Sequence, residues 1–422
     1  MITQKPGLME QIRGRFAHVD SCPFSGPRVF FENAGGALTL KSVVETSATF
    51  AAIPDNQGRD NPASKELVRV IDHAKAAMRV FLNAPEGRLF VGESGTEILF
   101  RLIRTAAGGA AAGGTMLGST LEHPASRSAM AHWAGMTGRS HVLVPHDDAT
   151  GTVGVEAYRP HLSPDLRVAT ILHTSPVTGM SVDVAEIAGA IRAAAPDCLI
   201  IVDGIQHACH GHVDIAGYGI DGYAISPYKV FSRHGYGIGW ASDRLSALPK
   251  EQILGGPIEN WELGTRDTGS YATFTDVVGY FTWLGSNFTE SGEPRQQIEA
   301  AAQAIHAHEK LLTDAMLYGT GNLKGLTEMS GVEIIGGTDN PAREGLVSLT
   351  AKGFDAEDLV SALREQGIRV HARKNDHYSG NILGPLGQPS CVRVSLCHYN
   401  TEQEVAQFLA AMSDIVGEDR AA

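Results

Sequence analysis

The sequence lacks the features of several protein classes. No apolar run approaches the ~18 residues of a membrane span, and the first residues have no apolar signal core. Basic residues are in deficit, with 34 Lys and Arg against 47 Asp and Glu and a net charge of -13. This argues against a nucleic-acid or anionic-membrane partner, because both need a basic face.

Cysteine is also scarce. The five cysteines are an odd number and show no pairing pattern, so we expect free thiols and a cytoplasmic location. We predict no metal site. The cysteines are Cys22, Cys198, Cys209, Cys391 and Cys397.

What is present fits a large globular protein. The 422 residues are enough for a large core and two domains, and 43% apolar with 19% charged residues is an ordinary balance. Strands alternate with helices, which predicts a parallel sheet covered by helices. The predicted helices are 7–19, 65–82, 97–107, 184–195, 270–284, 293–317, 355–366 and 401–414. The predicted strands include 88–91, 168–172, 332–335, 345–351, 368–372 and 391–396, and 51–64 is predicted to be a loop.

The stretch 199–240 carries the strongest chemical signal. An apolar run, typical of a strand buried on both faces, ends in Asp203. The carboxyl end of such a strand is where open α/β sheets bind ligands. Lys229 follows a second apolar run. An aspartate that keeps a pyridine nitrogen protonated and a lysine that carries a Schiff base suit pyridoxal phosphate.

A plainer interpretation competes with this one. Aspartates at strand ends are often loop residues, and most lysines are solvated. Lys229 is harder to dismiss, because 223–228 before it and Val230-Phe231 after it have the character of buried chain. Burial lowers the preference of a lysine for its charged form, as imine formation requires.

Asp203-x-x-Gln206 followed by Ser226-x-Tyr228-Lys229 resembles the fold-type I pyridoxal phosphate enzymes of the class V aminotransferase and cysteine desulfurase family, in its Tyr-Lys subgroup. The similarity covers nearly the whole chain, 31–400. It implies an α/β large domain with a mostly parallel sheet covered by helices, plus a smaller C-terminal α/β domain. We assign 1–30 to an N-terminal segment that packs with the small domain, 31–285 to the large domain, and 286–422 to the small domain with its bridging helix.

The resemblance also implies a cofactor site. Lys229, Asp203 and His123 would be catalytic, with the His123 ring stacked on the cofactor. The residues expected to bind pyridoxal phosphate are Gly95, Thr96, His123, Asp203, Gln206, Ser226, Tyr228, Lys229 and Thr265. In the family, a threonine at the position of Thr265 reaches the cofactor of the neighbouring subunit, which implies a homodimer. From spacing alone, a helix cap explains Thr265 equally well. Gly95-Thr96 alone is a weak signal, because capping residues occupy this position in any helix.

An amino-acid substrate is implied by Arg393. An inward arginine in an alternating strand needs an anion, and the family uses it to hold the α-carboxylate. A surface salt bridge is the alternative. The residues predicted to bind substrate are Arg393, Asn33, Ala34, Gly35, His371 and Arg373. The chain has Pro176 where desulfurases usually place an asparagine.

The loop 371–382 departs most from the desulfurases, because it lacks their nucleophilic cysteine. Persulfide chemistry is therefore not expected, and His371, Arg373, His377 and Tyr378 are candidates to recognise a polar or anionic side chain. We favour transamination narrowly over C–S or other β-elimination, and racemisation stays open. A catalytically silent pyridoxal phosphate-binding module is the alternative from another class.

Overall fold

The computed structural model describes residues 1–338 and 341–417. Its larger sheet, with the order β4-β10-β9-β8-β7-β5-β6, is parallel except for β10, which runs antiparallel to both neighbours. The first ten strands of the described chain are β1 Ser21–Cys22, β2 Gly26–Pro27, β3 Val29–Phe30, β4 Arg88–Gly92, β5 Thr115–Ser119, β6 Ser140–Val144, β7 Leu166–Leu172, β8 Leu199–Asp203, β9 Gly222–Ile225 and β10 Gly237–Ala241.

Helices cover this sheet, as the alternating pattern predicts, so the predicted fold class is confirmed. The α-helices of the described chain are α1 Leu8–Arg15, α2 Lys41–Ala51, α3 Pro62–Leu82, α4 Gly95–Gly109, α5 Pro124–Thr137, α6 Val155–Tyr158, α7 Val184–Ala194, α8 Ile215–Tyr218, α9 Asp243–Ser246, α10 Thr268–Gly285, α11 Pro294–Tyr318, α12 Ala356–Glu365, α13 Gly380–Leu383 and α14 Glu402–Val416. Short 3-10 helices include Asn33–Gly35, His207–Cys209 and Pro227–Lys229.

The loop predicted over 51–64 extends too far at both ends, because helices occupy its first and last residues. Helix α2 ends only at Ala51, and α3 already begins at Pro62. Asn61 caps α3, because its side chain accepts a hydrogen bond from the Ser64 N–H at 2.9 Å. The proline at the first helical position costs no hydrogen bond, so it starts the helix where the sequence suggested a loop.

A second, antiparallel sheet has the order β11-β12-β15-β14. The remaining strands are β11 Val332–Ile335, β12 Leu346–Ala351, β13 Ile368–Arg369, β14 His371–Lys374 and β15 Ser390–Ser395. The prediction of one strand over 368–372 is wrong. The chain changes partner at Val370, because β13 pairs in parallel with β3 while β14 pairs with β15.

The division into domains stays a prediction. Residues 339–340 and 418–422 of the predicted C-terminal domain lie outside the described residues. All five cysteines are free thiols. Among the helices described within 1–338 and 341–417, none is long and apolar enough to span a membrane. The cytoplasmic location stays a prediction.

Candidate active site

A pocket lies at the carboxyl ends of β7, β8 and β9, where the topology of an open α/β sheet places ligand sites. The sheet supplies Asp203 from the end of β8, and the turn after β9 supplies the lysine. The lining residues are Thr96, His123, Leu172, Pro176, Asp203, Ile205, Gln206, Ser226, Tyr228 and Lys229. The structure therefore brings together most of the residues predicted to bind cofactor.

Lys229 ends the short helix Pro227–Lys229 and is buried. Its Nζ donates a hydrogen bond to Gln206 Oε1 at 3.1 Å. Burial lowers the pKa of Lys229 to about 8, and the positive charge of Arg393 acts in the same direction. With this pKa about a tenth of the side chain is neutral amine at pH 7, far more than for an ordinary lysine, and the neutral amine is the form that attacks a carbonyl.

Asp203 is buried and lines the same pocket. Its Oδ1 accepts a hydrogen bond from the Ile205 N–H at 3.0 Å. Burial raises the pKa of Asp203 to about 6, opposed by the Ile205 N–H and the charge of Lys229. No ion pair joins Asp203 to another described residue, so the carboxylate would gain from a cation placed in the pocket.

The amino end of α4 closes one side of the pocket. Ser94 caps this helix by accepting a hydrogen bond from the Glu97 N–H at 3.1 Å. Gly95 is the first helical residue, and a Cβ added to it would lie 2.4 Å from Ser226 Oγ. Only glycine therefore allows the helix end to approach Ser226 this closely. Because Thr96 lines the pocket, the free N–H groups of the first turn are available to an anion.

His123 caps α5, and its Nδ1 accepts a hydrogen bond from the Ala125 N–H at 3.2 Å. Burial lowers the pKa of His123 to about 3, and the nearby positive charges of Lys229 and Arg373 add to this. The ring that lines the pocket is consequently neutral. A neutral, partly buried imidazole suits a stacking contact with a flat ligand.

Arg393, on β15, reaches the pocket wall. Its Nη1 donates a hydrogen bond to the carbonyl of Pro176 at 3.0 Å, and only 2% of the residue is exposed. Burial lowers the pKa of Arg393 to about 9, and the charge of Arg373 acts in the same sense. Its Nε has no hydrogen-bond partner within the described chain. The guanidinium therefore retains capacity to bind an anion.

Arg373 lies on the same face of the small sheet as Arg393. In the pairing of β14 with β15, His371 is opposite Arg393 and Arg373 is opposite Cys391. Side chains two positions apart share a face of a strand. Arg373 Nε also has no partner among residues 1–338 and 341–417. Two arginines with unused donors thus stand side by side.

The turn Asn33–Gly35 lies beside Arg393, but its polar groups are hydrogen-bonded to other residues of the protein. Asn33 Nδ2 donates to the carbonyl of Ser395 at 2.8 Å, and Tyr399 Oη donates to Asn33 Oδ1. The Ala34 N–H donates to Ser395 Oγ at 2.9 Å. A Cβ on Gly35 would lie 3.5 Å from Arg393 Nη2. Asn33 and Ala34 therefore fix the turn, and Gly35 is the member next to the arginine.

Eight predicted residues are not among those that line the pocket; they are Gly95, Thr265, Asn33, Ala34, Gly35, His371, Arg373 and Arg393. His371 Nδ1 lies 3.3 Å from Glu32 Oε1, so its ring is turned to that carboxylate. Thr265 is exposed, in a segment before α10. Its predicted contact is with a neighbouring subunit, and this stays a prediction.

Sequence reasoning missed Arg127. Its Nη2 donates to the carbonyl of His377 at 3.1 Å, and its charge contributes to the low pKa of His123. Tyr378, in the same segment as His377, has its ring centre 6.0 Å from that of His123. The available signal was helical spacing, since Arg127 lies four positions after His123 and shares its face of α5.

Comparisons with known proteins identify the family of the chain. The family model described as aminotransferase class-V matches residues 29–408. A probable cysteine desulfurase of Xylella fastidiosa is 27% identical, covering 96% of this chain and 94% of that protein. The aminotransferase-like protein FGM3 of Gibberella zeae is 26% identical, covering 97% of this chain and 98% of its own length.

Solved structures show the same fold. A cysteine desulfurase from Thermococcus onnurineus superimposes with a TM-score of 0.82 at 19% identity, covering 96% of this chain and 98% of that one. The cysteine desulfurase CsdA of Escherichia coli gives a TM-score of 0.77 at 22% identity, covering 96% and 98%. With the family model matching most of its length, the chain belongs to the aminotransferase class-V family, whose members are pyridoxal phosphate-dependent aminotransferases and lyases.

Proposed function

We propose that this chain is a pyridoxal phosphate-dependent aminotransferase acting on an amino acid whose side chain carries a second anionic group. The observation that supports the proposal is that Lys229 and Asp203 line one pocket, while Arg393 donates a hydrogen bond to Pro176 in the wall of that pocket. These residues offer an amine, a carboxylate and a guanidinium, which match the three groups that such a reaction must hold.

The donor set fits pyridoxal phosphate. Asp203 is a buried carboxylate without an ion pair in the described chain, and a protonated ring nitrogen would provide its cation. The first turn of α4, at Gly95 and Thr96, offers N–H groups and a helix dipole to a phosphate. Ser226, beside Gly95, adds a hydroxyl donor. Lys229 supplies the amine that binds covalently.

The chemistry divides between the cofactor and the chain. Pyridoxal phosphate supplies an aldehyde that condenses with amines and a ring that accepts an electron pair. Lys229 is the base that removes the proton from the substrate Cα and later returns one. Asp203 holds the proton at the ring nitrogen, and neutral His123 provides a face for stacking. Arg393 binds the α-carboxylate through its planar fork.

The position of Arg373 supports a substrate that carries a second anionic group. Its charge lowers the pKa values of both His123 and Arg393, so it lies close to the substrate site. Two neighbouring guanidinium groups repel each other in a buried setting, and each has an Nε without a partner in the described residues. A substrate with an α-carboxylate and a distal anion would offset both charges.

Transamination is preferred over thiol-dependent lyase chemistry because of where the cysteines lie. The segment 371–382 contains none. Cys391, on β15, is buried, and burial raises its thiol pKa to about 11. It is thus protonated at neutral pH and a poor nucleophile. The remaining lyase alternative is β-elimination driven by Lys229 alone.

A product analysis tests these alternatives. The purified protein with pyridoxal phosphate is incubated with aspartate, glutamate, cysteine, serine and alanine, each with and without a keto acid. We expect a new amino acid to form only when the keto acid is present, with the acidic substrates fastest. Ammonia or sulfide released without keto acid would establish the lyase alternative. Lys229→Ala is the control for uncatalysed exchange.

The silent binding module predicts a different result. It would bind cofactor but leave the Cα–H bond of every amino acid intact in deuterated water. Exchange of this hydrogen in the wild type, and its loss in Lys229→Ala, would exclude the module. No exchange with any amine would overturn the enzyme assignment.

We further propose a homodimer with shared sites. Thr265 is exposed, and the preceding segment exposes large apolar side chains at Ile253, Leu254 and Ile258. An apolar exposed segment beside the residue predicted to reach a neighbouring subunit supports an interface there. Sedimentation of wild type and of Leu254→Glu tests this, with dissociation expected in the variant. A monomeric wild type would overturn the shared site.

A further inference from the structure

A second cluster of chemically active side chains adjoins Gln206, one of the residues that line the pocket. Cys209 and His210 follow β8, and Cys397 follows β15. All three are buried, and one ligand atom from each lies within 4.8 Å of the others. Both cysteines are free thiols. Two strands from different sheets thus deliver two sulfur atoms and one imidazole to a single buried point.

Glu309 of α11 adds a fourth side chain. Its Oε2 lies 2.7 Å from His210 Nδ1, and 1% of the residue is exposed. Its Oε1 has no hydrogen-bond partner within residues 1–338 and 341–417. A buried carboxylate oxygen without a donor is costly, so this atom indicates an unfilled position beside the cluster.

We propose that Cys209, His210 and Cys397 bind a zinc ion, with Glu309 holding the imidazole of His210 in place. Two thiolates and an imidazole are the donor types that zinc prefers, in a tetrahedral arrangement. Zn–S bonds of about 2.3 Å place two sulfurs about 3.8 Å apart. Donor atoms that already lie within 4.8 Å need to move by only about 1 Å to reach this geometry.

The contact between Glu309 and His210 is typical of metal sites. A ligating histidine usually donates its other ring N–H to a carboxylate, which fixes the tautomer and raises the basicity of the ring. Here the carboxylate is already in place at 2.7 Å. The cluster therefore has both thiol ligands and the residue that orients the imidazole.

The site connects the substrate arginine to the catalytic lysine. With Nδ1 held by Glu309, zinc would bind His210 Nε2, which now lies 3.2 Å from Gln206 Nε2 and would exchange that contact for the metal. Gln206 Oε1 accepts a hydrogen bond from Lys229 at 3.1 Å, so the site adjoins the partner of the lysine. Cys397 lies four positions after Arg393. A zinc ion here would join the end of β8, the end of β15 and α11. Its role would be structural, holding the small sheet in register over the pocket.

This proposal departs from the prediction of no metal site, which rested on the sequence pattern alone. Cys209 and His210 are adjacent and do not show the paired spacing of zinc motifs. Cys397 and Glu309 are distant in sequence and come close only through the fold.

Metal analysis tests the proposal. The protein is produced with zinc and under reducing conditions, passed through a weak chelator and assayed for metal per chain. We expect one zinc per chain in wild type and in the controls Cys22→Ser and Cys198→Ser, which change a peripheral thiol and a buried one. Cys209→Ser and Cys397→Ser should lose the metal. Less than stoichiometric zinc in reduced wild type, or its retention in both ligand variants, would overturn the site.

Cobalt replacement provides a measurement that does not depend on the variants folding. Wild type loaded with Co²⁺ should show the charge-transfer absorption of thiolate ligands and the visible bands of tetrahedral cobalt. Zinc removal with a strong chelator should lower the melting temperature of wild type but not of Cys397→Ser. A cobalt spectrum without thiolate bands, or a Cys209–Cys397 disulfide seen by mass under reducing purification, would contradict the assignment.

Discussion

Arg393 donates a hydrogen bond of 3.0 Å to the carbonyl of Pro176, so a side chain of the small sheet is anchored on the loop that follows β7 of the large sheet. Desulfurases usually carry an asparagine at the position of Pro176. The proline removes a side-chain amide but leaves its carbonyl as the acceptor. The arginine is thereby held at the pocket wall by backbone, and its remaining donors stay available for a carboxylate.

Lys229 is expected to incorporate pyridoxal phosphate with an unusual pH dependence. Covalent attachment needs the neutral amine, and burial lowers the pKa of this lysine to about 8. The incorporation rate of the apo protein should therefore rise from pH 6 and level off above about 8, whereas an ordinary lysine with a pKa of about 10.4 would keep rising. Stopped-flow absorbance at saturating cofactor measures this rate.

Borohydride reduction provides the control for this prediction. The reduced adduct should be found on the peptide that contains Lys229, and Lys229→Ala should form no covalent adduct. An adduct on another lysine, or a rate that rises with a midpoint near pH 10, would contradict the assignment.

Asp203→Asn should fold and bind cofactor but turn over slowly. Burial raises the pKa of Asp203 to about 6, so the side chain is mostly ionised at pH 8, and a protonated ring nitrogen would stabilise that ionised form further. The amide removes this charge, and we expect a loss on the order of 10²–10³-fold in kcat. Steady-state kinetics at pH 8 and the absorbance of bound cofactor measure the two effects. Unchanged turnover would show that Asp203 has no catalytic role.

The sequence predicts those site residues that directly follow strands. Asp203 ends an apolar run and Lys229 follows another. The fold places both residues at the same edge of the sheet, because the carboxyl ends of parallel strands meet there. Arg393 was predicted from its place in an alternating strand and from the family resemblance. These signals are local, so one sequence carries them.

Contacts between segments that are distant in the chain could not be predicted from the sequence. The strand predicted over 368–372 is divided because Val370 separates two pairing partners, β3 and β15, and no local propensity records this. Arg127 reaches the site only because His377 lies over α5. Thr265 has no predicted contact inside its own chain, so a single subunit leaves its role untested.

Arg373→Gln should separate acidic from neutral substrates. If Arg373 binds a distal anion, aspartate and glutamate should bind about tenfold or more weakly, which corresponds to about 1.4 kcal/mol or more. Alanine should bind as before, because it has no second anion. Arg369→Gln is the matched control, since Arg369 is already paired with Glu32 at 2.6 Å. Spectral titrations of cofactor-loaded protein give the dissociation constants. Equal weakening of aspartate and alanine would contradict the role.

Arg393→Ala should weaken the binding of amino acids while leaving bound cofactor intact. Losing a desolvated charge contact costs on the order of 2–5 kcal/mol, so we expect a drop in affinity of roughly thirtyfold or more. Arg393→Lys should recover only part of the lost affinity, because an ammonium group cannot make the planar two-point contact. An amino acid and its decarboxylated analogue are titrated against each protein. The amine should be nearly indifferent to the change, because it lacks the carboxylate. Equal weakening of both ligands would mean that Arg393 acts through the anchoring of β15 to Pro176, and the amino-acid substrate class would lose its main support.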